Sequence, residues 1–327
     1  MIETKSQSLK TPFPWFGGKS RAASLIWSRF GQVKNYVEPF AGSLGVLLNR
    51  PSYDPLRYTE TVNDLDAYLA NFWRSISVDA ESVARYAACP VNEADLQARH
   101  NWLIEQMDFK EQMLADPDFC DFKVAGWWVW GLSAWIGSGW CKHSKHISHQ
   151  LPHLGDDGRG VHRKRPHLGN DGQGVHQDYL VDYFKALQQR LYRVRVCCGD
   201  WMRVLGPSPT TKLGVTAILL DPPYQQDLRA NLYNEESNVS EKVREWAIEN
   251  GGNPLLRIAL CGYSDEHEMP SDWECCTWSV GGGYDGQRLD KNNNNRAKER
   301  IWFSPHCLKP KKREQLNLFL TVREVES

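Results

Sequence analysis

The chain predicts an α/β fold: a sheet covered on both faces and interrupted by a mainly helical insert. Three observations carry this. Strand-like and helix-like segments alternate over residues 11–75, and the same rhythm returns from residue 179. The strand candidates are short aliphatic and β-branched runs such as Val215 to Leu220, the pattern of strands buried on both faces. Residues 77–140, between the two blocks, lack strand alternation and carry Trp and Phe residues suited to packing between helices.

Thr11 to Lys19 is a Gly/Pro/aromatic loop, followed by a short helix over Ala22 to Phe30. Asn35 to Val37 is a strand that ends at Glu38-Pro39. Ser43 to Asn49 is expected to be helical and to stop near Pro51. Arg57 to Val62 is a second strand ending at Asn63-Asp64. Leu65 to Ile76 is a helix with Leu65, Leu69, Phe72 and Ile76 on one face. After the insert come a helix over Tyr179 to Leu191 and a strand over Val194 to Cys197 that leads to Gly199-Asp200. Val215 to Leu220 is a strand ending at Asp221, and Leu255 to Leu260 and Arg300 to Phe303 are the last two. The expected domains are therefore 1–76 with 178–327, and an insert over 77–177.

The 327 residues suit one large domain with a smaller insert, and 41% hydrophobic with 24% charged residues is the range of a folded soluble protein. The net charge is -1, so any nucleic-acid contact has to come from local basic patches. Nine cysteines, with the adjacent pairs Cys197-Cys198 and Cys275-Cys276, do not form a secreted disulfide framework, and a cytoplasmic setting is expected. Met1 to Lys10 is polar and has no apolar signal core. Val124 to Cys141 is uncharged and just long enough to span a membrane, yet its four glycines and its tryptophans read as a buried or ligand-facing segment. No membrane contact and no obligate protein partner is expected.

Residues 141–177 hold seven of the ten histidines and an internal repeat: Pro152 to His162 recurs as Pro166 to His176. Each copy has a Gly/Asp/Asn turn core and reads as a tight hairpin or loop. Lys142, Lys145, Arg159, Arg163, Lys164 and Arg165 make the stretch locally basic, suited to phosphate or groove contact; a solvated loop is the alternative. Cys141, His143, His146 and His149 match no standard zinc spacing, and no metal is expected.

Four motifs carry chemistry. Asp221-Pro222-Pro223-Tyr224 follows a strand directly, where open α/β sheets bind ligands. An acid, a backbone carbonyl from Pro222 and an aromatic face suit an amino group on a flat base, with Pro223 stiffening the turn. Tyr36 to Gly45 is a strand, an acid and a glycine-containing turn; Glu38 there suits a cationic or amino-bearing ligand, and Gly42 lets a ligand approach the backbone. Asn63-Asp64 suits either ribose hydroxyls or a helix cap. Pro14 to Lys19 sets an aromatic pair, a Gly-Gly and a lysine in one loop.

In this order the four motifs resemble the Dam-like, alpha-group adenine-N(6) DNA methyltransferases, and the overall pattern resembles phage-type members. The resemblance implies a Rossmann-like S-adenosylmethionine-dependent methyltransferase sheet with a target-recognition domain as its insert. It implies that Trp15, Gly18, Lys19, Glu38, Pro39, Phe40, Gly42 and Asp64 lie around the cofactor, with Asp200 at its adenine and Asp221 adjoining. It implies that Asp221 to Tyr224 hold an adenine flipped out of double-stranded DNA. One departure is the spacing in Phe40 to Gly45, which has one residue more between the glycines than the family's usual turn. A second is the histidine-rich repeat, which stands where the family has a recognition hairpin. The competing readings are a cytosine-N(4) or RNA methyltransferase and a catalytically silent DNA-binding relative.

Overall fold

The computed structural model describes residues 9–15, 17–106, 108–116, 118–135, 139–141, 177–223, 239–264, 266–278 and 299–309. Tyr224 and the six basic residues from Lys142 to Arg165 lie outside the described residues. Seven strands form one sheet in the order β3-β2-β1-β4-β5-β7-β6. They are β1 (Asn35–Glu38), β2 (Thr59–Asp64), β3 (Val194–Cys198), β4 (Thr216–Leu220), β5 (Leu256–Tyr263), β6 (Glu274–Thr277) and β7 (Glu299–Phe303). The order reverses between β1 and β4: the chain moves outward through β2 and β3, then resumes on the other side of β1 at β4. That reversal is a topological switch point.

The chain divides into two compact units, Met1–Gly18 with Asp64–Asp200, and Lys19–Asn63 with Trp201–Ser327. In the second unit β1 pairs in parallel with β2 and with β4, and β4 with β5. β7 runs antiparallel to both β5 and β6. Every residue of β1 and β4 is buried, which is why β4 reads as a nearly continuous apolar run without alternation. Helix α1 (Ala23–Phe30) buries Ile26, Trp27 and Phe30 and ends at Gly31, whose φ of 59° places it in the left-handed region that stops helices. An ion pair is fully enclosed here: Arg50 meets Glu60 at 3.1 Å, donates to the carbonyl of Val33, and lies over the rings of Trp27 and Tyr58.

The helix expected over Ser43 to Asn49 is reduced to a single 3-10 turn at Leu47–Asn49. Gly42 (φ 45°) and Leu44 (φ 58°) both sit in the left-handed region, so the backbone turns twice before it can coil. Gly45 comes so close to Ser20 that an added Cβ would stand 2.7 Å from the Ser20 hydroxyl and 2.9 Å from its backbone nitrogen. Gly45→Ala should therefore cost about 1–3 kcal/mol, the usual range for overpacking. A drop in the thermal midpoint checks this, and an unchanged midpoint would show that the turn yields freely.

The first unit is mainly helical: α2 (Ala67–Ala87), α3 (Glu93–Ile104), α4 (Phe109–Ala115), α5 (Phe122–Ala134) and α6 (Gln177–Leu191), with β3 at its end. α2 packs on α5 and α6. It runs past the expected end at Ile76 with an interruption at Asp79 (φ −148°, ψ 88°). The Asp79 carboxylate accepts from the backbone N–H groups of Glu81 and Ser82 and so caps the second half of the helix. Asn71 fastens α5 to α2 by donating to the Asp121 carbonyl at 2.9 Å and accepting from the Asp121 N–H at 3.0 Å. Phe13, Phe72, Trp73 and Trp128 form an aromatic core, and Trp130, Trp135 and Trp140 are also buried. Of the two roles open to these tryptophans, core packing accounts for all but the half-buried Trp127. Of the uncharged stretch Val124 to Cys141, residues 124–134 belong to the 13-residue α5, and among the described residues no helix is long and apolar enough to cross a membrane. The last helix, α7 (Val239–Gly251), belongs to the second unit.

Candidate active site

The second unit brings together Lys19, Glu38 and Asp221, which are far apart in sequence. Glu38 ends β1 and Asp221 follows β4 directly; the strands are parallel neighbours at the switch point, with Val37 opposite Ile218. Both acids therefore leave the sheet at its carboxyl edge, where open α/β sheets receive ligands. Lys19 is 3% exposed, and its ammonium meets the Asp221 carboxylate at 2.9 Å. Burial alone would pull the Lys19 pKa down. The charge of Asp221, with smaller contributions from Cys261 and Glu299 and the hydrogen bond to Asp221, reverses that and leaves it raised. A fully enclosed ammonium thus stays charged, and it fixes the orientation of a half-exposed carboxylate. Pro222 is buried and Pro223 exposed, so the turn after Asp221 is stiff and offers no N–H at either position.

Glu38 is 3% exposed. The Tyr36 hydroxyl, two residues back on the same strand face, donates to it at 3.1 Å, and the Leu47 backbone N–H bonds it as well. Burial pushes the Glu38 carboxyl well above the usual carboxylate range. Tyr36 and Leu47 oppose that, and the charges of Asp221 and Glu60 add to it. Among the described residues no cation forms an ion pair with Glu38.

Pro39 and Gly42 are buried beside Glu38, and Phe40 is half-buried and stacked on Trp201 with ring centroids 6.0 Å apart. The turn is held by two bonds to Asn63: its side chain donates to the Pro39 carbonyl at 3.1 Å, and its carbonyl accepts from Ala41 N–H at 2.9 Å. Asn63, which the sequence presents only beside Asp64, holds the loop after Glu38.

The first unit holds the other candidates. Trp15 and Gly18 close a turn, Gly18 N–H donating to the Trp15 carbonyl at 3.2 Å, and the Trp15 ring meets Phe13 edge-on at 5.7 Å. Asp64 is half-buried and Asp200 exposed. Gly199 N–H donates to the Asp64 carbonyl at 3.0 Å, which sets Gly199-Asp200 against the end of β2. The helix cap that competed with a ligand role for Asp64 is made by Asp66 instead, which accepts from Tyr68 and Leu69. Asp64 in turn accepts from the Asp66 N–H at 3.0 Å.

Sequence reasoning missed several neighbours of the Lys19–Asp221 pair. Cys261 on β5 is wholly buried, and burial drives its thiol pKa far up, with the charge of Asp221 adding to the push. Trp278 follows β6, with the Lys19 ammonium 5.9 Å from its ring centroid. Neither had a local signal, because both reach the pair only through sheet pairing. Tyr36 did have one: it stands at i−2 to Glu38 on a strand, hence on the same face.

No curated protein matches the chain. A family model does match, that of the D12 class N6 adenine-specific DNA methyltransferases, over residues 15–112. The matched segment contains Trp15, Gly18, Lys19, Glu38, Gly42 and Asp64, and ends before Asp221. A sheet of seven strands, mostly parallel, is consistent with a methyltransferase. Over residues 15–112 the chain is thus similar to the D12 class N6 adenine-specific DNA methyltransferases, the Dam-like family that its motifs resemble.

Proposed function

We propose that the chain transfers a methyl group from S-adenosylmethionine to the exocyclic amino group of adenine in duplex DNA. The observation that carries this reading is the Asp221 carboxylate, held at the carboxyl end of β4 by the buried Lys19 at 2.9 Å. S-Adenosylmethionine, when bound, supplies an electrophilic methyl group on a sulfonium. The fit is chemical: Glu38 is a buried carboxyl with no ion-pair partner among the described residues, and the cofactor carries both a sulfonium and an α-ammonium. Glu38, Pro39, Phe40 and Gly42, with Lys19, Trp15 and Gly18, are assigned to the cofactor. Asp64 is assigned to its ribose and Asp200 to its adenine.

On the base side, the Asp221 carboxylate and the Pro222 carbonyl accept the two amino hydrogens. Accepting both draws the nitrogen lone pair out of conjugation with the ring and makes it nucleophilic. Lys19 holds the Asp221 carboxylate in place, so the acceptor need not reorganise as charge develops. Tyr224 is assigned to stacking on the base, which helps to offset the few kcal/mol needed to take an adenine out of the duplex. Alignment of the two bound partners supplies a large part of the acceleration. The insert over 77–177 is assigned to target recognition, with Lys142, Lys145, Arg159, Arg163, Lys164 and Arg165 on phosphates or in a groove. The reaction is expected in the cytoplasm.

The test is label transfer from S-adenosylmethionine to duplex DNA, single-stranded DNA and RNA in parallel. The reading expects duplex DNA to be labelled best. Label only in RNA would refute it, as would cofactor binding with no labelled nucleic acid.

A further inference from the structure

We infer that Trp278 is a further base-positioning residue, its indole N–H donating to a ring nitrogen of the adenine whose amino group Asp221 accepts. This rests on the base-binding role of Asp221 proposed above. Trp278 stands directly after β6, and its ring lies under the same ammonium that holds Asp221: Nζ of Lys19 is 5.9 Å from the ring centroid and 2.9 Å from the carboxylate. The side chain is half-buried, but Nε1 is shut off from solvent and has no hydrogen-bond partner among the described residues.

An indole nitrogen is a donor only, and buried donors are nearly always paired. Covering Lys19 needs an aromatic face and no N–H, so packing alone leaves this group unexplained. The chemistry of the base accounts for it. Once Asp221 and Pro222 take both amino hydrogens, the atoms flanking the amino group on the purine, N1 and N7, are acceptors. A carboxylate is acceptor-only, and Pro222 and Pro223 have no N–H to offer. The site needs a donor, and Trp278 has one to give.

Trp278→Phe keeps the ring and removes the N–H. In the full chain, kcat/KM for duplex DNA should fall about tenfold, the ratio that ~1.4 kcal/mol corresponds to. S-Adenosylmethionine affinity by calorimetry should stay within about twofold of the parent, and so should the thermal midpoint stay unchanged. A second arm replaces the methylated adenine of a synthetic duplex by 7-deazaadenine or 1-deazaadenine. One of the two should slow the parent enzyme and leave Trp278→Phe no slower, because that variant has already lost the same bond. An unchanged kcat/KM in Trp278→Phe overturns the inference. An equal loss of cofactor affinity also overturns it, and assigns the N–H to the cofactor. So does a pair of analogues that slow both proteins alike. A parent enzyme that methylates no adenine refutes the underlying reading, and this inference with it, whatever the variant does.

Discussion

Asp221→Asn is expected to cut methyl transfer to DNA by about 10²–10³-fold, the loss seen when one preorganised polar group is removed from a reaction centre. The substitution keeps the shape and one acceptor oxygen but removes the charge. Asp221→Ala is a poorer test by itself. Both substitutions remove the carboxylate that pairs with Lys19, which is 3% exposed, but alanine also leaves the buried ammonium no acceptor oxygen at this position. Orphaning one member of a buried pair costs about 3–5 kcal/mol; the Asp221 side chain is 20% exposed, so the lower end applies. Lost activity in the alanine variant could then be lost fold. The double variant Lys19→Met with Asp221→Asn separates the two effects. Its thermal midpoint should recover toward the parent while methyl transfer stays low. Recovery of both would make Asp221 a structural partner of Lys19 and nothing more.

Glu38→Gln should make the ligand-free protein more stable and the cofactor-bound protein weaker. The Glu38 carboxyl is held well above the usual carboxylate range, chiefly by burial. Between the unfolded pKa near 4.5 and that raised value, the folded chain holds a proton that the unfolded chain has released. Stability from this group is complete below the unfolded pKa and is lost as pH rises through the folded one. Glutamine removes that loss and can still accept from the Tyr36 hydroxyl. At pH 8 the variant should melt higher, by about 2–4 °C for each kcal/mol regained. Its affinity for S-adenosylmethionine should fall by about 10- to 150-fold, the equivalent of one charge-assisted hydrogen bond of ~1.5–3 kcal/mol. The pH dependence of binding has the opposite sign to that of stability. A cationic ligand favours ionised Glu38, so parent affinity should rise with pH until Glu38 is ionised, and the variant should show no such rise. A calorimetric series across pH checks both, and a parent affinity that does not vary with pH would contradict this account of Glu38.

The sheet and both acids at its edge were legible because they depend on local pattern. Runs such as Thr216–Leu220 are buried on both faces, and an acid directly after such a run stands at the carboxyl end of a strand. β6 was not legible. It is a four-residue edge strand, Glu274–Thr277, whose residues alternate between half-buried and exposed and include no aliphatic side chain. The turn after Glu38 was misread as a helix because apolar residues at Leu44, Leu47 and Leu48 mimic helical spacing. The left-handed backbone at Gly42 and Leu44 decides otherwise, and for a leucine no sequence signal announces it. The end of α2 was missed because the helix is interrupted at Asp79, three residues past the expected end at Ile76, and the Asp79 carboxylate caps the continuing half. At the site, Lys19 and Asp221 were both singled out, but their pairing was not, since 201 residues separate them and only the folded sheet closes the distance. Cys261 and Trp278 reach Lys19 by the same tertiary route.

The account's central claim is that Asp221 and Pro222 present an acceptor pair to the amino group of adenine. Its most direct test is mass spectrometry of nucleosides from mixed-sequence duplex DNA after incubation with the enzyme and S-adenosylmethionine. The account predicts 6-methyladenine, lost in Asp221→Asn. 4-Methylcytosine in its place, or 6-methyladenine formed equally by the variant, would contradict it.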